Sequence, residues 1–211
     1  MIVKDDDSGK WLLSETVRAT RGCHIEAEKR LLERGALANH ANLYYGCWSA
    51  VLTVLALDTR YSFLDLPAAC FATAVALWAA YSAAERYDLR ARDFYSSYLA
   101  LQKLWWKCID IEAQDDKDPD VLRKYIEAKE DYAQILSSTE NHTEMDYVRY
   151  KYDMYRKQKE ESGAKIPKDI MFIYYRGRVQ LVGLRLFVYI GAPFILLMCP
   201  RIIEWFKDLV L

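Results

Sequence analysis

The chain has 211 residues, 29 Lys and Arg against 30 Asp and Glu, and 53% hydrophobic residues. A formal net charge of −1 supplies no basic excess, so nucleic acid is not the expected partner. The mean hydropathy of −0.15 would suit a soluble protein, but that average mixes three apolar runs with a densely charged block over 85–178, which holds 18 Lys and Arg and 19 Asp and Glu.

The first ten residues, MIVKDDDSGK, are acidic and polar and do not read as a signal peptide. Residues 1–36 are predicted as an N-terminal cytoplasmic helical region. Two apolar runs follow, 43–57 and 63–84, joined by Asp58-Thr59-Arg60-Tyr61-Ser62. A bilayer-crossing helix needs about 20 mostly apolar residues, within about 17–25. The second run meets that length. The first meets it when it starts near Leu37 and carries Asn39, His40 and Asn42 into the headgroup zone. Residues 37–84 are therefore predicted as a transmembrane hairpin whose first helix is its own insertion signal. In its second arm, Ala68, Ala72, Ala76, Ala80 and Ala84 recur every four residues. Small residues let backbones approach closely in lipid, where apolar surface alone drives no association. That ridge serves either the hairpin itself or contact between subunits, and the sequence leaves both readings open.

Residues 85–178 are predicted as cytoplasmic helices. Phe94, Tyr98, Leu101, Trp105 and Cys108 fall at steps of four, three, four and three, the seam spacing of packed helices. No Pro or Gly lies between Pro67 and Pro119, so the second arm is expected to run straight into this helix, making the seam a candidate for coupling a signal into the bilayer. Asp115-Asp116-Lys117-Asp118-Pro119 ends the helix, and Asp118 caps the next with Pro119 at its first position. Leu122, Tyr125, Ile126, Tyr132, Ile135 and Leu136 are expected on one face. A turn over 137–142 precedes an N-cap at Thr143, with Asp146 three residues on. Met145, Val148, Tyr152 and Tyr155 form a stripe, Ser162-Gly163 closes that helix, and Pro167 marks a linker.

The third run, 179–199, is predicted as a C-terminal transmembrane helix, with a tail to 211. Arg178, Arg185, Tyr189 and Ala192 recur on one side and are candidates for lining a pore. The competing reading lets Arg185, seven residues after Arg178, snorkel to the cytoplasmic interface. Pro193 after Gly191-Ala192 introduces a flexible point. Lys and Arg dominate the flanks 18–34, 86–103 and 165–178, whereas the hairpin loop holds Arg60 alone, so the N-terminus and the 85–178 block are predicted cytoplasmic. Arg201 and Lys207 weaken that bias after the third run, which keeps an interfacial or re-entrant course open. Tyr44, Tyr45, Trp48, Trp78, Tyr81, Tyr174, Tyr175, Trp205 and Phe206 sit where interface belts would place them.

No phosphate-binding loop, dinucleotide fingerprint, nucleophile elbow or zinc-protease motif occurs. Cys23, Cys47, Cys70, Cys108 and Cys199 form no Cys-x-x-Cys and read as small apolar residues. His24, His40 and His142 are too scattered to suggest metal ligands, and His142 reads as part of a solvated turn. The sequon Asn141-His142-Thr143 lies on the predicted cytoplasmic side and is taken as coincidental. No catalytic, cofactor-binding or metal-binding residue is expected, and the chain does not read as an enzyme.

The layout of hairpin 43–84, continuation Arg92-Asp93-Phe94-Tyr95-Ser96-Ser97-Tyr98, stretch 125–136 and the turn Glu140-Asn141-His142-Thr143-Glu144-Met145-Asp146-Tyr147 resembles the SLATT family over about residues 15–160. The resemblance implies a membrane effector of a bacterial conflict or antiphage system, switched on by a partner enzyme that makes a nucleotide signal, with no catalytic residues of its own. The third apolar run departs from the simplest two-helix layout of that family.

Together these readings predict an all-α membrane protein with a short-loop transmembrane hairpin continuing into cytoplasmic helices and a third C-terminal transmembrane helix. Its expected setting is the bacterial inner membrane, and its partners are the lipid bilayer, further copies of itself, and a nucleotide second messenger or the enzyme that produces one. It would assemble into a pore through the alanine ridge. The alternative is a non-conducting, membrane-anchored adaptor that positions a cytoplasmic partner.

Overall fold

The computed structural model describes residues 12–114, 118–195 and 198. Among these residues every regular element is helical. Six α-helices run in chain order: α1 (Leu13–Ala56), α2 (Asp65–Glu85), α3 (Tyr87–Glu112), α4 (Pro119–Ser137), α5 (Glu144–Ser162) and α6 (Lys168–Leu186). A 3-10 helix, Thr59–Leu64, precedes α2, and a π-helical turn, Phe187–Gly191, follows α6. The chain divides into two compact units, one from residues up to Leu32 with Asp88–Tyr175, the other from Glu33–Tyr87 with the chain from Arg176 onward.

In the first unit the predicted seam of α3 forms the core. Leu101, Leu104, Cys108 and Ile111 pack with Leu13 and Val17 of α1 and with Val121 and Ala128 of α4. Phe94 is fully buried, and Tyr98 and Trp105 are half-buried. Polar ties fix α1 against its neighbours: the Ser14 N–H donates to Glu112 Oε1 at 2.9 Å, and the Thr20 and Tyr132 hydroxyls are 2.8 Å apart. Gly22 permits a close approach, since a Cβ there would collide with the Tyr150 ring.

The helix ends follow the predicted chemistry. Asp118 accepts from the Asp120 N–H at 2.9 Å, with Pro119 opening α4. Thr143 and Asp146 form a reciprocal capping box at the start of α5, in which the Thr143 N–H donates to Asp146 Oδ2 at 2.8 Å. Gly163 ends α5 at φ +72°, a conformation that only glycine adopts freely. The predicted face of α4 is only partly correct. Its inward side is Val121, Tyr125, Ala128, Tyr132 and Ile135, a seam of steps four, three, four and three, whereas Leu122 and Ile126 lie a residue off that seam and are exposed.

In the second unit the later part of α1 packs against α2 through Ala41, Tyr45, Leu52, Ala68 and Phe71, with Val75 and Trp78 partly buried beside them. Trp78 Nε1 donates to the Ala38 carbonyl at 3.2 Å, and Asn42 Nδ2 donates to the Ser82 hydroxyl at 3.4 Å. The short connection is stabilised by Asp58, whose carboxylate accepts from the Arg60 N–H at 3.0 Å.

The expected continuous helix from the second arm into the seam is interrupted. Arg86 is left-handed, at φ 49° and ψ 42°, and separates α2 from α3. A left-handed residue that carries a Cβ costs about 1–2 kcal/mol.

Candidate functional site: an outward alanine ridge and a buried polar cluster

The apolar surface of α2 is divided between two uses. Ala68 is buried within the second unit, but Ala72, Ala76, Ala80 and Ala84 are exposed. The steps of four precess around a helix of 3.6 residues per turn, so a ridge that starts at the inner seam leaves it within one turn. Among the described residues the alanines after Ala68 are thus not consumed by packing within the chain. Arg178 and Arg185 of α6 are also exposed, while Tyr189 is half-buried and packs on Tyr44 with ring centroids 5.4 Å apart. The four residues predicted to share one lining face are therefore not equally placed: the two arginines are open, whereas Tyr189 and Ala192 are packed against the core of the second unit.

Two helical stretches are long and apolar enough to cross a membrane, within Asp65–Glu112 and within Lys168–Ile195, and only 17% and 11% of their apolar windows are buried. A soluble protein's core helix would be mostly covered; these two present their apolar side chains outward, among them Leu77, Val179, Ile190 and Phe194. The first arm of the predicted hairpin does not reach that standard by itself.

The seam residues Phe94, Leu101 and Cys108 lie in the core of the first unit, next to a buried polar cluster. Arg30 Nε and Nη2 donate to the two carboxylate oxygens of Asp146 at 2.8 and 3.1 Å, and Asp146 is fully buried. The same carboxylate completes the α5 capping box, so one side chain ends a helix and pairs a buried cation. His24, buried and edge-on to Phe94, is hydrogen-bonded to the Ser97 hydroxyl at 2.9 Å. Its ring lies 6.0 Å from that of His142, so His142 belongs to a half-buried cluster and not to a solvated turn. Burial pushes His24 down to about 4, with His142 adding to the shift and Asp146 opposing it. Burial also lowers His142, again against Asp146. The Cys23 thiol is pushed up to about 12 by burial, then by Asp146 and Glu26, which removes it as a nucleophile near neutral pH. Cys108 is likewise buried, Cys70 is half-buried and Cys47 is exposed; Cys199 and the tail aromatics Trp205 and Phe206 lie outside the described residues. Among the described residues no three His, Cys, Asp or Glu gather as a metal-binding set.

The family model of the SMODS and SLOG-associating 2TM effector domain, family 5, matches residues 8–199. The chain belongs to this SLATT family. No curated protein and no solved structure matches it. A SLATT domain is a two-transmembrane effector domain, associated by its description with SMODS and SLOG partners. In this SLATT chain the match extends through α6, so the third apolar run lies within the family's domain and is not an appendage to it.

Sequence reasoning did not find the pairing of Arg30 with Asp146, of His24 with Ser97, or of Tyr44 and Tyr45 with the turn after α6. Asp146 was visible as a capping residue. A signal for Arg30 exists in α1: it follows Cys23, His24 and Ala27 and precedes Leu31 on the helix side that is buried, a position that requires a partner.

Proposed function

We propose that this SLATT protein is an oligomeric effector of the bacterial inner membrane, in which the hairpin of α1 and α2 and the helix α6 lie in the bilayer and the first unit lies in the cytoplasm. On receipt of a nucleotide signal, or on contact with the enzyme that makes it, copies associate through Ala72, Ala76, Ala80 and Ala84 and breach the membrane. The observation that carries this reading is the outward position of that ridge. In lipid, a row of small side chains left uncovered by its own chain is a surface on which a second backbone approaches closely. The exposed Leu43, Val51 and Val54 of α1 support a lipid setting for the first arm, and the Lys and Arg before α1's apolar part, after α2 and in the N-terminal half of α6 support the cytoplasmic assignment. Arg178 and Arg185, both open to the outside of the chain, would face the lumen of the assembly.

The test is membrane potential and dye entry in bacteria induced to express the wild type, beside an Arg185→Leu variant. Rapid depolarisation abolished by Arg185→Leu is the expected result. Depolarisation in both would keep the breach and move its lining to the hairpin. Silence in both, persisting when neighbouring genes are co-expressed, would defeat the proposal and favour a non-conducting adaptor. The adaptor reading has its own support in Tyr95, Leu99 and Trp106, an exposed stripe at steps of four and seven along α3 that a cytoplasmic partner would cover.

A further inference from the structure

The turn after α6 carries a main-chain defect that two side chains repair. In the π-helical turn the Ala192 N–H bonds to the Phe187 carbonyl, five residues back. Ala192 is thereby unavailable to Val188, its ordinary four-residue acceptor. The next donor for Val188 in the wide register, and for Tyr189 in the ordinary one, is in both cases residue 193. Residue 193 is proline, which has no N–H. Val188 is left without a ladder donor in either register, and Tyr189 without its ordinary one. On α1, two consecutive tyrosines supply the missing donors: the Tyr44 hydroxyl donates to the Tyr189 carbonyl at 3.0 Å and the Tyr45 hydroxyl to the Val188 carbonyl at 2.5 Å. Tyr45, Val188 and Pro193 are buried, so both ends of the repair are covered.

We infer that Tyr44 and Tyr45 are a hydroxyl lock on the third apolar helix, replacing the one donor that Pro193 lacks and the one that the wide turn diverts to Phe187. The lock rests on the proposed membrane location of this unit, because a bilayer interior offers unbonded carbonyls no substitute for these hydroxyls. The third helix is thereby held to α1 at one register, since sliding or turning it by a residue takes both carbonyls off their donors. Pro193 is then a device that makes docking obligatory, more than a simple point of flexibility.

A double-mutant cycle on the full chain in lipid nanodiscs tests this. Tyr44→Phe with Tyr45→Phe keeps both rings and removes only the hydroxyls. In the natural Pro193 background it is expected to lower the unfolding midpoint by about 3–6 °C, each single change by about half as much. Pro193→Ala restores one main-chain N–H, enough for one of the two carbonyls, and in that background the same pair is expected to cost about half as much; Pro193→Val serves where the alanine variant does not fold. Equal losses in the two backgrounds, or no loss in either, overturn the lock. Alkaline carbonate extraction of wild-type membranes separates this from the larger reading: release into the soluble fraction removes the membrane location and the lock with it, whereas retention without coupling defeats the lock alone.

Discussion

At the scale of single residues the Arg30–Asp146 pair shows how a charge is kept in the core of the first unit. A buried ion pair is not in itself a large gain, but removing one partner strands the other. Arg30→Met is therefore expected to destabilise the chain by about 3–5 kcal/mol in denaturant unfolding. Arg30→Lys should recover less than half of that loss, because an ammonium cannot reproduce two parallel bonds to one carboxylate. His24 gives the unit a pH dependence. Its folded-state pKa of about 4 lies below the ordinary 6.5, so the unfolded chain binds the proton more readily. Its contribution to stability is full above about 6.5 and is lost as pH falls through that value towards 4. Midpoints measured between pH 7.5 and 4.5 should fall for the wild type and fall less for His24→Gln. The residues of this cluster could not be paired from the sequence, since Arg30 and Asp146 are separated by 116 positions and no local rule connects them. The capping role of Asp146 was legible because it is local.

At the scale of elements, the ends and faces that local chemistry or spacing marks were legible, such as the α4 and α5 caps and the α3 seam, and the others were not. Asp118, Thr143 and Gly163 act within a few residues of themselves, and the structure places them as their chemistry requires. Arg86 has no such local signal: an arginine next to a tyrosine in a region without Gly or Pro reads as helix, yet Arg86 is left-handed. That conformation makes a contrast. Arg86→Gly should leave stability unchanged or raise it slightly, because glycine adopts φ 49° without strain, whereas Arg92→Gly within α3 should cost about 1 kcal/mol; equal costs in thermal unfolding would mean that the helix is continuous. The alanine ridge was legible as a pattern, but its allegiance was not. With Ala72, Ala76 and Ala80 turned outward, replacing them by Leu is expected to leave the unfolding midpoint of a single chain within about 0.5 kcal/mol per site while reducing cross-linked oligomer at least tenfold. A collapse of folding would place the ridge inside the chain after all.

At the scale of the whole molecule, the sequence by itself determined the class: apolar runs of spanning length, a charged helical block and a family pattern are properties of the chain read in order, and they are sufficient to define a helical membrane effector. Hydropathy acts through local composition, which is why it can be read without knowing which distant residues meet. The family match over residues 8–199 agrees with that reading. What only the tertiary structure decided is which surfaces are spent and which are left. Whether Ala76 faces its own hairpin or the outside, whether His142 meets water or His24, and what satisfies the carbonyls beside Pro193 all depend on the rotational phase of one helix against another. That phase is fixed by the fit of side chains far apart in sequence, so a helical period states that a face exists but cannot state what it meets.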